Sequence, residues 1–277
     1  VPTIWRCDAL QVRTEPDDPT GLLTEVERST SRILETIRLL DEGIDGPSLL
    51  PGWSRRMIVA HLAYVASAYL RVTDEALAHG RAETYVSGSR ERADSLHSLD
   101  SLSAGETARA FEETGDALQS RWEELTTQDW AVEYEESRLG LIALSRLIAL
   151  RLTELEVHHG DLGLGYGPRT WSDVFVTCCL PLRIAWLEQH HRKRTDAHLS
   201  VEGRWLLRSG SRAWLVVATD RGATAEVVPS NAQAEATIDG EERDLLAFLL
   251  GREPGAALRL SGDLSLCGSF KAAFPGP

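Results

Sequence analysis

No run of 18 apolar residues occurs in the 277-residue chain, so no segment reads as a membrane-spanning helix. The opening stretch Val1-Pro-Thr-Ile-Trp-Arg-Cys7 has the pattern of neither a signal peptide nor an anchor. A cytoplasmic protein is expected. Positive charge is scarce as well: 29 Lys and Arg stand against 42 Asp and Glu, a formal charge of −13. Nucleic-acid binding needs a basic stripe, and the only dense basic cluster, His190-His-Arg-Lys-Arg194, reads as a solvated helix end or linker. Neither nucleic acid nor membrane is expected as a partner. The four cysteines form no metal or disulfide pattern, because Cys7 and Cys267 are isolated and vicinal Cys178-Cys179 lacks the spacing that lets two sulfurs meet one ion. A thiolate nucleophile would therefore have to arrive with a cosubstrate. The glycines of Gly163-Leu-Gly165-Tyr-Gly167 follow a helix rather than a strand, so they read as a cap and turn, not a nucleotide fingerprint.

What the chain does have is a set of polar groups where core is expected. Helical spacing carries the apolar stripe of Leu144 and Leu147 on to Arg151, Glu154, His158 and Asp161. Glu154 and His158, four residues apart, project from one side of a helix and can offer two ligands to a divalent ion. His61 is the candidate third ligand. It follows Gly52-Trp-Ser54, with Ser54 as N-cap, on a helix whose inward stripe is Ile58, Leu62, Val65, Tyr69 and Val72. A lone inward histidine is usually a hydrogen-bonded core residue. An inward carboxylate nearby changes the balance, since it costs several kcal/mol or takes up a proton unless a cation satisfies it. His61, Glu154 and His158 thus read as a three-ligand site suited to zinc, with the fourth position open as in catalytic sites. Asp161, one turn past His158, can accept from that ring, or it is simply a turn aspartate. His159 points elsewhere and is not counted as a ligand.

The chain is long enough for one large or two ordinary domains. The pattern gives an extension over 1–18, a helical bundle over 19–194 and a small α+β domain over 195–277. The overall class is helical followed by antiparallel α+β. Helices are expected at about Pro19–Glu42, Ser54–Leu77, Ala104–Leu125, Leu139–Leu162 and Trp171–His191, with a long polar connection over Arg81–Ser103. Short alternating runs beginning at His198, Trp205, Ala213, Ala223, Ala234 and Ala257 read as strands. Ser209-Gly-Ser211 and Asp220-Arg-Gly222 are hairpin turns. Helices at Glu241–Leu250 and Leu264–Ala273 complete the second domain.

Gly52-Trp53-Ser54 with His61-Leu62, and Glu154-Leu-Glu-Val-His158-His159-Gly-Asp161-Leu-Gly-Leu-Gly-Tyr166, together resemble the mycothiol-dependent maleylpyruvate isomerase family. Its members are DinB-like metal-binding four-helix bundles with a small C-terminal α/β domain, and the resemblance runs from about Gly21 to Ala273. It implies zinc on His61, Glu154 and His158, and mycothiol or a similar small thiol as cosubstrate. It also implies a functional arginine in the C-terminal domain, where Arg252 of Leu250-Gly-Arg252 has the matching context and becomes the candidate catalytic residue. The expected activity is transfer of a zinc-activated thiol onto an electrophilic small molecule, in actinobacterial secondary metabolism. Cis/trans isomerisation of maleylpyruvate is the alternative, and a metal-stabilised interaction module without catalysis is a third reading.

Overall fold

The computed structural model describes residues 19–84, 102–137, 139–188 and 201–275. The expected extension 1–18, the strand start at His198, the basic cluster at 190–194 and most of the long connection lie outside these residues.

Helix α1 (Pro19–Leu40) opens on Pro19, whose missing N–H would have had no partner in the first turn. It gives way to a 3-10 turn at Asp41–Asp45, just short of the expected end. Helix α2 (Arg55–His79) is capped by Ser54, whose Oγ accepts from the Met57 N–H at 3.2 Å, and stops at Gly80 with φ +66°. Helix α3 (Ala104–Glu123) starts in a reciprocal capping box between Ser103 and Glu106. These three helices follow the expected bounds closely.

The expected helix start at Leu139 is corrected. A short helix α4 (Thr127–Trp130) leads into an antiparallel hairpin, β1 (Glu133–Glu136) and β2 (Gly140–Ala143), with Tyr134 opposite Ile142. Gly140 takes φ +77° to reverse the chain, a conformation open to glycine at little cost. The Tyr134 ring is fully buried beneath the hairpin. The hairpin is tied to the end of α2, where Glu135 N–H donates to Gly80 O at 3.0 Å and Ala82 N–H to Glu135 O at 3.1 Å. Helix α5 (Arg146–Asp161) therefore begins only after the hairpin.

Four long helices, α1, α2, α3 and α5, form the first compact unit, which ends at Gly167. Ile33, Ile58, Leu62, Val72, Phe111, Leu118, Trp122 and Leu152 are all buried in it. At about 1.5–3 kcal/mol for each large apolar side chain withdrawn from water, this core is the main stabilising term.

The second unit begins at Pro168. Its first helix α6 (Asp173–Ala185), expected as the fifth crossing of the bundle, lies against α7 (Glu242–Leu249) instead. The unit boundary thus falls at Gly167/Pro168 rather than at 194/195. The apolar face of α6 was visible in the sequence, but a hydrophobic face does not say which core it joins. Strands β3 (Gly203–Ser209), β4 (Arg212–Thr219), β5 (Gly222–Pro229), β6 (Ala236–Asp239) and β7 (Arg259–Gly262) form one sheet in the order β5-β4-β3-β6-β7. All neighbours are antiparallel except β3 and β6, which run parallel with Trp205 opposite Ala236. Both expected hairpin turns are present between β3, β4 and β5. The final helix α8 (Leu264–Ala273) covers Trp205, whose Nε1–H donates to Leu266 O at 2.8 Å and whose ring meets Phe270 and Phe274 edge-on.

Candidate metal centre

The loop before α2 ties together the two helices that carry the candidate ligands. Leu49 N–H donates to Asp161 O at 2.8 Å, and Arg55 Nε–H donates to Leu162 O at 2.9 Å. The N-terminus of α2 is thereby fastened to the C-terminus of α5. Gly52 at φ +79° turns the chain, and Trp53 sets its ring edge-on to His61, with centroids 5.8 Å apart. Each residue of Gly52-Trp53-Ser54 therefore has a local job in turning, walling or capping the start of the helix that carries His61.

The structure brings His61, Glu154 and His158 to one point. Their ligating atoms all lie within 4.8 Å of one another. His61 Nε2 is 3.1 Å and His158 Nε2 3.3 Å from the same carboxylate oxygen, Glu154 Oε2. A tetrahedral ion with bonds of about 2.0–2.1 Å separates its ligands by roughly 3.3 Å, so the donor set fits a divalent cation. Among the described residues, no other group of three or more metal-ligating side chains converges in this way. His61 is buried, and the Glu154 side chain is half-buried, at 29% exposure.

Asp161 bears on the orientation of one candidate ligand. His158 Nδ1 lies 2.8 Å from Asp161 Oδ2, and a proton donated there leaves Nε2 free for a cation. The turn-aspartate alternative is set aside. Burial alone would push the His158 ring down, but its bonds to Asp161 and Glu154 outweigh this and raise it to about 9. Burial would raise the Glu154 carboxyl; the hydrogen bonds and charges of His158 and His61 hold it well below the usual carboxylate range. The surrounding carboxylates thus favour a proton on His158.

Arg151 lies one turn before Glu154. Its side chain is buried, with Nη1–H donating to Leu62 O at 2.8 Å and the guanidinium 5.9 Å from the Phe111 ring centroid. Burial lowers it to about 10, against the charges of Tyr69 and Glu154, which leaves it cationic at neutral pH.

A second polar cluster, between α1 and α5, was not anticipated. Buried Glu156 accepts from Ser29 Oγ at 2.5 Å, from Arg32 Nη2 at 3.0 Å and from the Tyr166 hydroxyl. Arg32 also reaches Glu25 Oε1 at 2.7 Å. Next to it, Thr36 Oγ1 lies 2.8 Å from His159 Nε2, and the His159 ring stacks on Tyr166 with centroids 3.9 Å apart. His159 is thus a buried partner of α1, not a ligand. Burial, then the Arg32 charge, lowers its ring to about 4. The sequence signal was present in the spacing of Glu25, Ser29, Arg32 and Thr36, which puts polar groups on one face of α1.

Arg252 belongs to the second unit, where it follows Gly251 at φ +72° and donates from Nη1 to Leu250 O at 3.0 Å. Cys179 and Cys267 are buried and Cys178 is half-buried, and none of the three is in a disulfide. Among the described residues, no helix is long and apolar enough to cross a membrane.

The first unit is thus a four-helix bundle in which two histidines and a carboxylate converge, and a small α+β unit follows it. The match to the mycothiol maleylpyruvate isomerase N-terminal domain spans residues 23–163, just over half of the chain, and the chain belongs to that family. The fold is that of the crystal structure of the mycothiol-dependent maleylpyruvate isomerase, with a TM-score of 0.67 and 20% identity over 88% of this chain and 93% of that one. A point mutant of a mycothiol-dependent maleylpyruvate isomerase matches at a TM-score of 0.66 and 21% identity, with the same coverage. YfiT from Bacillus subtilis, described as a probable metal-dependent hydrolase with an unusual four-helix bundle topology, is more distant, at a TM-score of 0.44 and 18% identity over 52% of this chain and 83% of that one. No curated protein matches the sequence.

Proposed function

We propose that His61, Glu154 and His158 hold a divalent ion, zinc, and that the protein is a cytoplasmic enzyme that adds mycothiol, or a similar small thiol, to an electrophilic small molecule. The convergence of two imidazoles and one partly exposed carboxylate carries this reading. Three protein donors, one of them partly exposed, suit an open catalytic site, whereas a structural site closes with four. That contrast favours the enzyme over a metal-stabilised interaction module. When bound, the ion would favour the thiolate form of a thiol, whose free pKa is about 8.5.

The chain's own residues do the rest of the work. Asp161 holds the Nδ1 proton of His158 and fixes the ring that presents Nε2. Trp53 walls His61 on one side. The buried Arg151 cation adds positive potential near Glu154, which favours an anionic sulfur over a neutral one. Arg252 is proposed to grip a carboxylate of the electrophile, since a guanidinium pairs with such a group through two parallel hydrogen bonds.

Two outcomes share the addition step. In S-transfer the new carbon–sulfur bond persists and a leaving group or proton balances the reaction. In isomerisation the sulfur adds to one carbon of a double bond, the remaining single bond rotates, and expulsion of the thiol restores the double bond. Transfer is the primary reading, placed in secondary metabolism. Isomerisation is the second, and membership of the isomerase-named family supports it.

The test combines metal analysis with turnover. About one divalent ion per chain is expected, lost in His61→Ala and His158→Ala and retained in His79→Ala. Cobalt-substituted protein should change its visible spectrum when mycothiol is added. Turnover of maleylpyruvate without loss of thiol would identify the isomerase, and consumption of thiol with a larger electrophile the transferase. Full metal retention in both ligand variants, or turnover without any thiol, would overturn the reading.

A further inference from the structure

Among the largest fully buried side chains described, Arg151 alone carries a charge, at 1% exposure. It springs from α5 one turn before Glu154. Its Nη1–H donates to Leu62 O of α2 at 2.8 Å, and the guanidinium stands 5.9 Å from the Phe111 ring centroid of α3. One side chain thus meets two other helices of the bundle. Its Nη2 has no hydrogen-bond partner among the described residues. Stability does not account for this. A buried cation that is incompletely paired is costly, and an apolar side chain of similar volume in its place commonly leaves a protein as stable or more so. Helix α2 does not need the bond either, because Leu62 lies within it, where the carbonyl already accepts the N–H of the fourth residue on. The Phe111 face returns only part of the burial cost.

What the bond supplies is direction. Helix α2 brings His61, and α5 brings Glu154 and His158, so the three donors converge only at one spacing and rotation of these helices. Apolar packing between helices is non-directional, whereas ligand distances in a metal site hold to about 0.2 Å. On one side of the donors the helices are tied by Leu49 N–H to Asp161 O and by Arg55 Nε–H to Leu162 O. Arg151 ties them on the other side, at the carbonyl of the residue next to His61. With a tie on each side, sliding and splaying at the level of the donors are both restrained.

We propose that Arg151 is a positioning residue for the candidate metal centre. Its bond to Leu62 O, with its seat beside Phe111, fixes the spacing of α2 and α5 at which His61 meets Glu154. The bundle bears a buried cation for the sake of that spacing, not for stability. The proposal rests on the reading of His61, Glu154 and His158 as a metal site, and it adds the residue that holds the set in register.

The experiment uses the full chain and reads the donors with and without metal. In chelated protein, isotope-edited NMR of the histidines reports how the rings are held, with His61 and His158 assigned from their alanine variants. Arg151→Met should displace these two signals, and Arg151→Lys, which keeps a long side chain ending in a donor, should leave them close to the parent's. Zinc affinity from chelator competition should fall about tenfold or more in Arg151→Met and stay within a few-fold in Arg151→Lys. Charge alone gives the opposite sign, since removal of a cation near the centre strengthens its hold on zinc. The melting temperature of Arg151→Met should equal or exceed the parent's. Unmoved histidine signals or undiminished zinc affinity in folded Arg151→Met overturns the proposal. So does a melting temperature well below the parent's, which would make Arg151 a residue of stability. If the parent takes up no zinc, the metal reading fails by itself, and the histidine spectra still decide the role of Arg151.

Discussion

If the proposed site holds a divalent ion, a proton and that ion compete for His158. In the metal-free protein its ring is raised from 6.5 to about 9, so folding favours the protonated form. That contribution to stability is complete below about pH 6.5 and disappears as pH climbs through about 9. The same proton must leave before Nε2 can bind a cation, so apparent metal affinity should rise with pH up to about 9 and then level off. Chelator-competition titrations across this range check the sign, and calorimetry in buffers of different ionisation enthalpy should show proton release at pH 7. A flat affinity profile would mean that His158 is not a ligand. Asp161→Asn keeps the shape of the acceptor but removes its charge, and the expected loss in metal affinity is about 10–100-fold with the fold intact. The three candidate ligands were readable because they interrupt apolar stripes, where a polar residue needs a reason. Glu25, Ser29 and Arg32 share one face of α1, but their neighbours are equally polar, so only the arrival of Glu156 from 124 or more positions away shows which polar face is covered.

Elements set where those residues point. Ser54 caps α2 and supports the turn that leads to His61, so Ser54→Ala should cost about 1 kcal/mol in chemical denaturation. The seam between α1 and α5 weighs more. Glu156 is 1% exposed and receives Ser29, Arg32 and Tyr166. Glu156→Ala leaves these donors without their shared acceptor and should destabilise the protein by about 3 kcal/mol, with Glu156→Gln losing less. Equal stability of Glu156→Ala and the parent would show that water replaces the carboxylate at no cost. Helix α8 was found at its expected bounds because Asp263 caps it and a local apolar period defines it. The false start of α5 has the opposite origin. Leu139 to Ala143 carries helix-compatible residues, and Gly140 with the partner strand β1 decides the matter. Likewise, the parallel pairing of β3 with β6 joins segments 31 positions apart, a separation that no local alternation encodes.

At the scale of the molecule, two cores imply that metal loss stays local. The bundle buries Ile33, Leu62, Phe111, Trp122 and Leu152, while the second unit has its own core around Trp205, Phe270 and Phe274. None of these residues is one of the three candidate ligands. The segments that carry the candidate ligands are joined by the bonds from Leu49 to Asp161, from Arg55 to Leu162 and from Arg151 to Leu62, and repulsion between or protonation of the ligands after chelation would act on that junction first. Hydrogen–deuterium exchange before and after chelation should therefore show faster exchange in peptides covering 46–62 and 150–163. Peptides from β3, β4 and α8 should be unchanged, because opening there follows the second core and not the ligand set. The far-ultraviolet circular dichroism should keep nearly its full helical signal. Collapse of the whole bundle on chelation would make the ion a structural one, with its binding energy counted in folding, and would remove the main support for an open catalytic centre. Exchange that rises at the junction alone, and is reversed by restoring zinc, would instead place the ion where a thiol can reach it.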